Sequence, residues 1–346
     1  MRLSRRAALG GALGVSALGA VAYSQTGNPR LRSGAWNPRD IEVRAAPLSR
    51  FSIAEPEARR FGQLHFLSGL ALSSPDPNFG GFSGLFMPPG GRDLVALSDN
   101  AYWLTGRLET AADGAMSALA QTRLAPLLGA NGRPLQWVGR WDSEALAIAP
   151  NGTAYIGFER VGEIYRCDFG KEGTAARATL VEAPAWLRKL PDNKGIEALA
   201  VAPPASPVAG ALIMIAERSH GRAAYTVGTM IGGPRPGDFR FARRDDFDVS
   251  DCAFLPGGDL LVLERRFRWS DGVAIRLRRV AAGELRPGAT LQGVNIFEAT
   301  MAHEIDNMEG LAIHADAQGR TILTMISDDN FSMIQRTLLL QFRLIE

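Results

Sequence analysis

Nine carboxylates recur at matching places in this chain, and their spacing suggests oxygen-ligand chemistry. In residues 143–160, Glu144 opens an apolar run, Asn151-Gly152 marks a turn, and Glu159 closes the returning run. The same layout puts Glu197 and Glu217 about a Pro-rich loop, Asp251 and Glu264 about Gly257-Gly258, and Glu309 and Asp328 about Gln318-Gly319. In residues 83–100, Gly84 holds the opening place and Asp99 the closing one. Each segment reads as an antiparallel hairpin, so its opening and closing residues should face each other at the open end. Like charges directly opposite on a sheet are destabilising. Such pairs call for solvent, arginine, retained protons or a bound cation.

If the hairpins surround one axis, their open ends collect at one mouth. A ring of oxygen ligands there suits a hard cation such as Ca²⁺, which takes about 6–8 oxygens, so about half of the nine acids would contact metal or substrate. The candidate ligands are Asp99, Glu144, Glu159, Glu197, Glu217, Asp251, Glu264, Glu309 and Asp328. Glu309, Glu144 and Glu197 are also candidates to activate water, since a carboxylate outside the metal shell can act as general base. Arg160, Arg218 and Arg265 follow the closing glutamates, and guanidinium suits phosphate, although charge balance for the glutamates is the commoner role. Lys194 lies just before an opening strand and could reach an anion. His220 and His303 are candidate acid/base groups near the mouth, whereas His65 and His314 fall in or beside apolar runs and read as structural. The aspartates at 245, 246, 248 and 251 do not form an EF-hand, because Asp251 stands where that loop needs Gly.

The elements that must position these groups are strands. The opening places lie 60, 53, 54 and 58 residues apart, enough for four short strands each. Expected strands are 144–149, 153–159, 162–168 and 177–182 in the second repeat, and 251–255, 259–265, 272–280 and 290–297 in the fourth. Strand after strand with Gly, Pro and Asn turns implies an all-β fold, and recurrence at this spacing implies a β-propeller. The expectation is five or six four-stranded blades, with an early strand near 61–72 joining the last repeat (309–314, 320–327, 336–345) to close the ring.

Composition agrees with one large domain over residues 41–346: 46% hydrophobic and 21% charged residues, with a net charge of +2. Residues 1–22 begin basic, continue through an Ala/Gly-rich apolar stretch and end on Ala20-Val21-Ala22, as an export signal does. Ser4-Arg5-Arg6-Ala7-Ala8-Leu9 fits the twin-arginine class. Removing this segment, with its three arginines and no acid, takes the charge from +2 to −1. Residues 23–40 read as a flexible linker. The expected protein is therefore periplasmic or secreted and monomeric, with no nucleic-acid partner and no membrane association beyond export. Of two cysteines, Cys167 and Cys252, buried single thiols are the favoured reading over a disulfide, and a Cys-ligated zinc site is excluded. A Gly-x-Ser-x-Gly elbow is also absent, which leaves a serine-hydrolase mechanism unsupported.

Several stretches resemble the phytase-like family of exported bacterial proteins, described as having esterase-like activity of phytase. They are Phe79-Gly80-Gly81-Phe82-Ser83-Gly84-Leu85, Leu97-Ser98-Asp99-Asn100, Asp142-Ser143-Glu144-Ala145-Leu146 and Asn307-Met308-Glu309-Gly310-Leu311-Ala312. The resemblance runs from about Phe61 to Leu344. It implies a propeller, places the family's repeated Glu and Asp positions on the carboxylates above, and implies hydrolysis of a small-molecule phosphoester. Two alternatives stay open: a non-catalytic ligand- or protein-binding propeller with structural calcium, and a propeller lactonase or carboxylic-ester hydrolase.

Overall fold

A computed structural model describes residues 36–190, 194–219 and 223–345. These form an all-β, five-bladed propeller; the described residues contain one short α-helix, Phe169–Glu172. The innermost strands, in chain order, are Phe82–Phe86, Ser143–Ile148, Ile196–Val201, Asp248–Phe254 and Asn307–Ala315. Each packs on the next, and the fifth packs on the first, so the five surround one axis. From each inner strand the sheet runs outward through antiparallel neighbours.

The fourth blade has four strands: Asp248–Phe254, Leu260–Arg268, Gly272–Val280 and Val294–Thr300. The first three blades add one short outer strand to such a set. In the fifth, Asn307–Ala315, Thr321–Asp328 and Thr337–Leu344 are followed outward by Leu64–Ser73, which pairs with Thr337–Leu344. The early strand thus lies in the last blade, and Arg44–Leu48 extends it further. The span expected as linker ends in structure: Arg39 and Asp40 pair with Leu124 and Arg123, and the Trp36 ring stacks on Tyr102. The expected export signal lies outside the described residues. Among the described residues no helix is long and apolar enough to cross a membrane.

Inner strands approach closely only where one side is small. A Cβ on Gly84 would come within 2.7 Å of Leu146 in the second blade, and one on Gly310 within 2.9 Å of Leu85 in the first. Gly84 is therefore a packing position between blades. Apolar clusters fill the spaces between blades, with Trp103, Phe158, Phe241 and Phe297 buried. Cys167 and Cys252 are separate buried thiols.

Around the mouth the blades are stitched by polar contacts. The Asp99 carbonyl accepts from the Asp142 and Ser143 amides, joining the first blade to the second. The Gly195 amide donates to Glu159 Oε1 at 2.9 Å, joining the second to the third. Arg218 pairs with Asp248 across the third and fourth, Arg265 donates to Asn307 Oδ1 at 2.6 Å across the fourth and fifth, and the Gly81 amide donates to Asp329 Oδ1 at 3.0 Å across the fifth and first. The aspartates at 245 and 246 are matched to Arg276 and Arg268.

Gly84→Val should overpack the contact with Leu146 and lower stability by about 1–3 kcal/mol. Urea denaturation checks this; an unchanged midpoint would contradict the close approach.

Candidate functional site

Each inner strand carries a β-bulge at its start, at the equivalent place in all five blades. The register skips one residue between Phe82 and Gly84, Ser143 and Ala145, Ile196 and Ala198, Val249 and Asp251, and Met308 and Gly310. The skipped residues are Ser83, Glu144, Glu197, Ser250 and Glu309. A bulge turns its extra side chain out of the pleat, a device common beside active sites. The next ring is made by the residue just past the partner of the position that precedes each bulge: Asp99, Glu159, Glu217, Arg265 and Asp328.

This register corrects two of the nine expected ligands. In the fourth blade the inner ring carries Ser250, not Asp251, and the second ring carries Arg265, not Glu264. Asp251 is buried, with Oδ1 accepting from the Cys252 amide and Oδ2 from the Leu311 amide at 2.7 Å each. It satisfies a backbone donor of the next blade's inner strand, and burial pushes its carboxyl well above the usual range. Glu264 is fully buried against two arginines: Arg278 donates to both its oxygens, at 2.6 and 2.8 Å, and Arg276 donates at 3.1 and 3.3 Å. Arg278 lies over the Phe241 ring and Arg276 over Phe247. Both oxygens of each acid are thus engaged away from the carboxylate cluster.

The other seven expected acids come together, joined by Asp142. Oxygens of Asp142, Glu144 and Glu159 lie within 4.8 Å of one another, as do those of Glu159, Glu197 and Glu217. Glu197, Glu217, Glu309, Asp328 and Glu159 are buried; Asp99, Asp142 and Glu144 are half-buried. Desolvation, reinforced by neighbouring carboxylates, holds the Asp99, Glu144, Glu197 and Asp328 carboxyls well above their usual range. The same causes push Glu159 up to about 7. Desolvation raises Asp142 and Glu309 too, opposed by Arg160 and by Arg265 respectively. Asp142 was visible in the sequence, two residues before Glu144, but the hairpin layout gave it no place.

The expected cations divide. Arg265 enters the cluster, 3.1 Å from Glu309 and 3.8 Å from Glu217. Lys194 Nζ sits 2.5 Å from Glu217 Oε2. Arg160 stacks over Trp141 at 4.0 Å and approaches Asp142 at 3.8 Å, at the exposed edge. Arg218 turns away to Asp248, which Arg243 also holds. His303 packs against the Phe51 and Phe61 rings and hydrogen-bonds with Thr300. None of its observed partners is a cluster carboxylate. His220 lies outside the described residues. His314 is buried beside Thr324, in keeping with its structural reading.

A family model described as phytase-like, esterase-like activity of phytase, matches residues 77–331. The chain belongs to the phytase-like family. No curated protein matches it. Among solved structures, a chain of a mitotic checkpoint complex aligns at 12% identity and a TM-score of 0.39, covering 93% of this chain and 96% of that one. Virginiamycin B lyase from Staphylococcus aureus aligns at 12% identity and a TM-score of 0.35, covering 82% and 74%. A protein of unknown function from Bacteroides caccae aligns at 10% and 0.31, covering 73% and 71%. At these scores the alignments bear on neither mechanism nor ligand.

Two predictions follow from the two kinds of acid. Glu264→Ala removes the carboxylate that Arg278 and Arg276 share and leaves Arg278 buried without a counter-charge, and should cost about 3–5 kcal/mol by chemical denaturation. An unchanged denaturation midpoint would contradict this pairing. Glu159 behaves oppositely. Its folded-state carboxyl keeps a proton that the unfolded chain releases near pH 4.5, so its stabilising contribution is present below that pH and lost as pH rises through about 7. In chelator, Glu159→Gln should therefore gain about 3 kcal/mol on the wild type across that interval. Thermal melts from pH 4.5 to 7.5 test this, and a gap independent of pH would contradict it.

Proposed function

We propose that this phytase-like protein is an exported, calcium-dependent hydrolase of phosphoesters that works at the carboxylate mouth. The observation that carries the reading is the pair of three-carboxylate clusters sharing Glu159. Acids this close either keep protons or share a cation, and their donors are all oxygens, the set a hard cation prefers. Asp142, Glu144, Glu159, Glu197 and Glu217 would hold the ion. When bound, calcium neutralises phosphate charge and polarises the phosphoryl group.

Glu309 stands outside both clusters and is the best-oriented candidate base. Asn307 Nδ2 donates to its Oε1 at 2.9 Å, and Arg265 approaches the same oxygen at 3.1 Å. Two donors on one oxygen fix the carboxylate, whose other oxygen would take a proton from water. Desolvation raises its carboxyl above the usual range, and a carboxylate of raised pKa is the stronger base once ionised. Asp99 and Asp328, recessed beside Glu309, would keep protons or bind water rather than carry two further charges. The basic, apolar N-terminus supports export by the twin-arginine route.

The test is a panel of phosphomonoesters, phosphodiesters and carboxylic esters offered to the mature protein after chelation, then with calcium. Turnover of phosphoesters should depend on calcium and fall about 10²- to 10⁴-fold in Glu309→Gln while the fold persists. Turnover of carboxylic esters alone would assign a lactonase-type reaction. No turnover of any ester, with a calcium-dependent rise in melting temperature, would make this a binding propeller with a structural ion.

A further inference from the structure

The mouth is asymmetric, and its odd sector is built from the fourth blade. Elsewhere the inner ring holds Glu144, Glu197, Glu309 or Ser83, and the second ring holds Asp99, Glu159, Glu217 or Asp328. The fourth blade alone places neither acid there: its pair is Ser250 and Arg265. In the second and third blades, the equivalent pairs Glu144–Glu159 and Glu197–Glu217 bring oxygens within 4.8 Å. The same backbone register gives these two places in the fourth blade to Ser250 and Arg265.

Ser250 is fully buried, and its Oγ has no hydrogen-bond partner among the described residues. A buried hydroxyl without a partner costs stability, so it is normally paired or replaced by an apolar side chain. Here it sits on a bulge whose counterparts in the second, third and fifth blades, Glu144, Glu197 and Glu309, join the cluster, while the first blade carries a second serine, Ser83, at this place. Arg265 bridges toward Glu217 of the third blade and Glu309 of the fifth, which fixes its guanidinium within the cluster. The sector thus offers a hydroxyl donor and a guanidinium next to the candidate base and opposite the candidate cation ligands.

We propose that Ser250 and Arg265 form an oxyanion subsite that receives one phosphoryl oxygen of a singly charged ester, a phosphodiester rather than a phosphomonoester dianion. This rests on the hydrolase reading and narrows its substrate class. One guanidinium, already shared with two carboxylates, matches one negative charge. A second charge would face Glu309, Asp328 and Asp99. Among the described residues, Lys194 of the third blade and Arg160 of the second also approach the cluster, one held at Glu217 and the other at the exposed edge beside Asp142.

The experiment is binding of dimethyl phosphate to the calcium-loaded protein by titration calorimetry, in wild type, Ser250→Ala and Arg265→Lys. Wild type should bind; Ser250→Ala should bind about tenfold more weakly, with calcium affinity kept and a melting temperature no lower than wild type. Arg265→Lys keeps the charge near Glu217 and Glu309 but loses the planar fork, and should weaken binding similarly. Methyl phosphate, as the dianion, should bind wild type more weakly than dimethyl phosphate. Wild-type affinity for dimethyl phosphate that Ser250→Ala leaves unchanged, no binding by wild type, or preference for the dianion would each overturn the subsite. The readout does not need turnover. A protein that binds the diester through Ser250 yet hydrolyses nothing keeps the subsite and loses the hydrolase reading.

Discussion

Electrostatic crowding at the axis is the constraint on which the rest of the structure depends. Eight carboxylates, Asp99, Asp142, Glu144, Glu159, Glu197, Glu217, Glu309 and Asp328, are recessed where five blades meet, and seven of them are held above their ordinary protonation range. Such a cluster is tolerable only if protons, cations or donors offset it. The bulges bring Glu144, Glu197 and Glu309 into it, and the ends of the neighbouring strands bring Asp99, Glu159, Glu217 and Asp328. The stitching between blades relieves part of it, because the Gly195 amide meets Glu159 and Arg265 meets Glu217 and Glu309, while Lys194 and Asn307 meet Glu217 and Glu309 within their own blades. Structure and site are therefore one arrangement: the contacts that join blades also orient the acids.

Much of this was legible in the sequence because hairpin periodicity is a local property. Strands expected at 144–149, 153–159 and 272–280 appear at Ser143–Ile148, Thr153–Phe158 and Gly272–Val280. The strand near 61–72 lies in the last blade as expected, at Leu64–Ser73. Seven of the nine expected acids cluster for the same reason, since strand ends follow from turn positions.

The fourth blade was misread by one residue, and the cause is physical. Acidity alone points to Asp251, but the bulge defines the ring position and gives it to Ser250. In Phe82-Ser83-Gly84-Leu85, Ile196-Glu197-Ala198-Leu199 and Met308-Glu309-Gly310-Leu311, an apolar residue precedes the bulge and a small residue follows it. Val249-Ser250-Asp251-Cys252 fits the same frame, with Asp251 in the place of the small residue. The apolar residue before the bulge would have shown the shift. What no local pattern could show is the partner of each acid. Glu264 meets Arg276 and Arg278 only because the next strand folds back beside it, and Asp251 meets Leu311 only because the fifth blade's inner strand packs against the fourth's. His303 was expected near the mouth by chain position, yet its ring is drawn to Phe51 and Phe61 from a distant N-terminal segment.

The most direct test of the account is an anomalous-difference map from crystals of the mature protein grown with calcium. The account predicts a peak bounded by Asp142, Glu144, Glu159, Glu197 and Glu217. A calcium-saturated crystal with no peak there, or with its peak at Asp251 or Glu264, would contradict it.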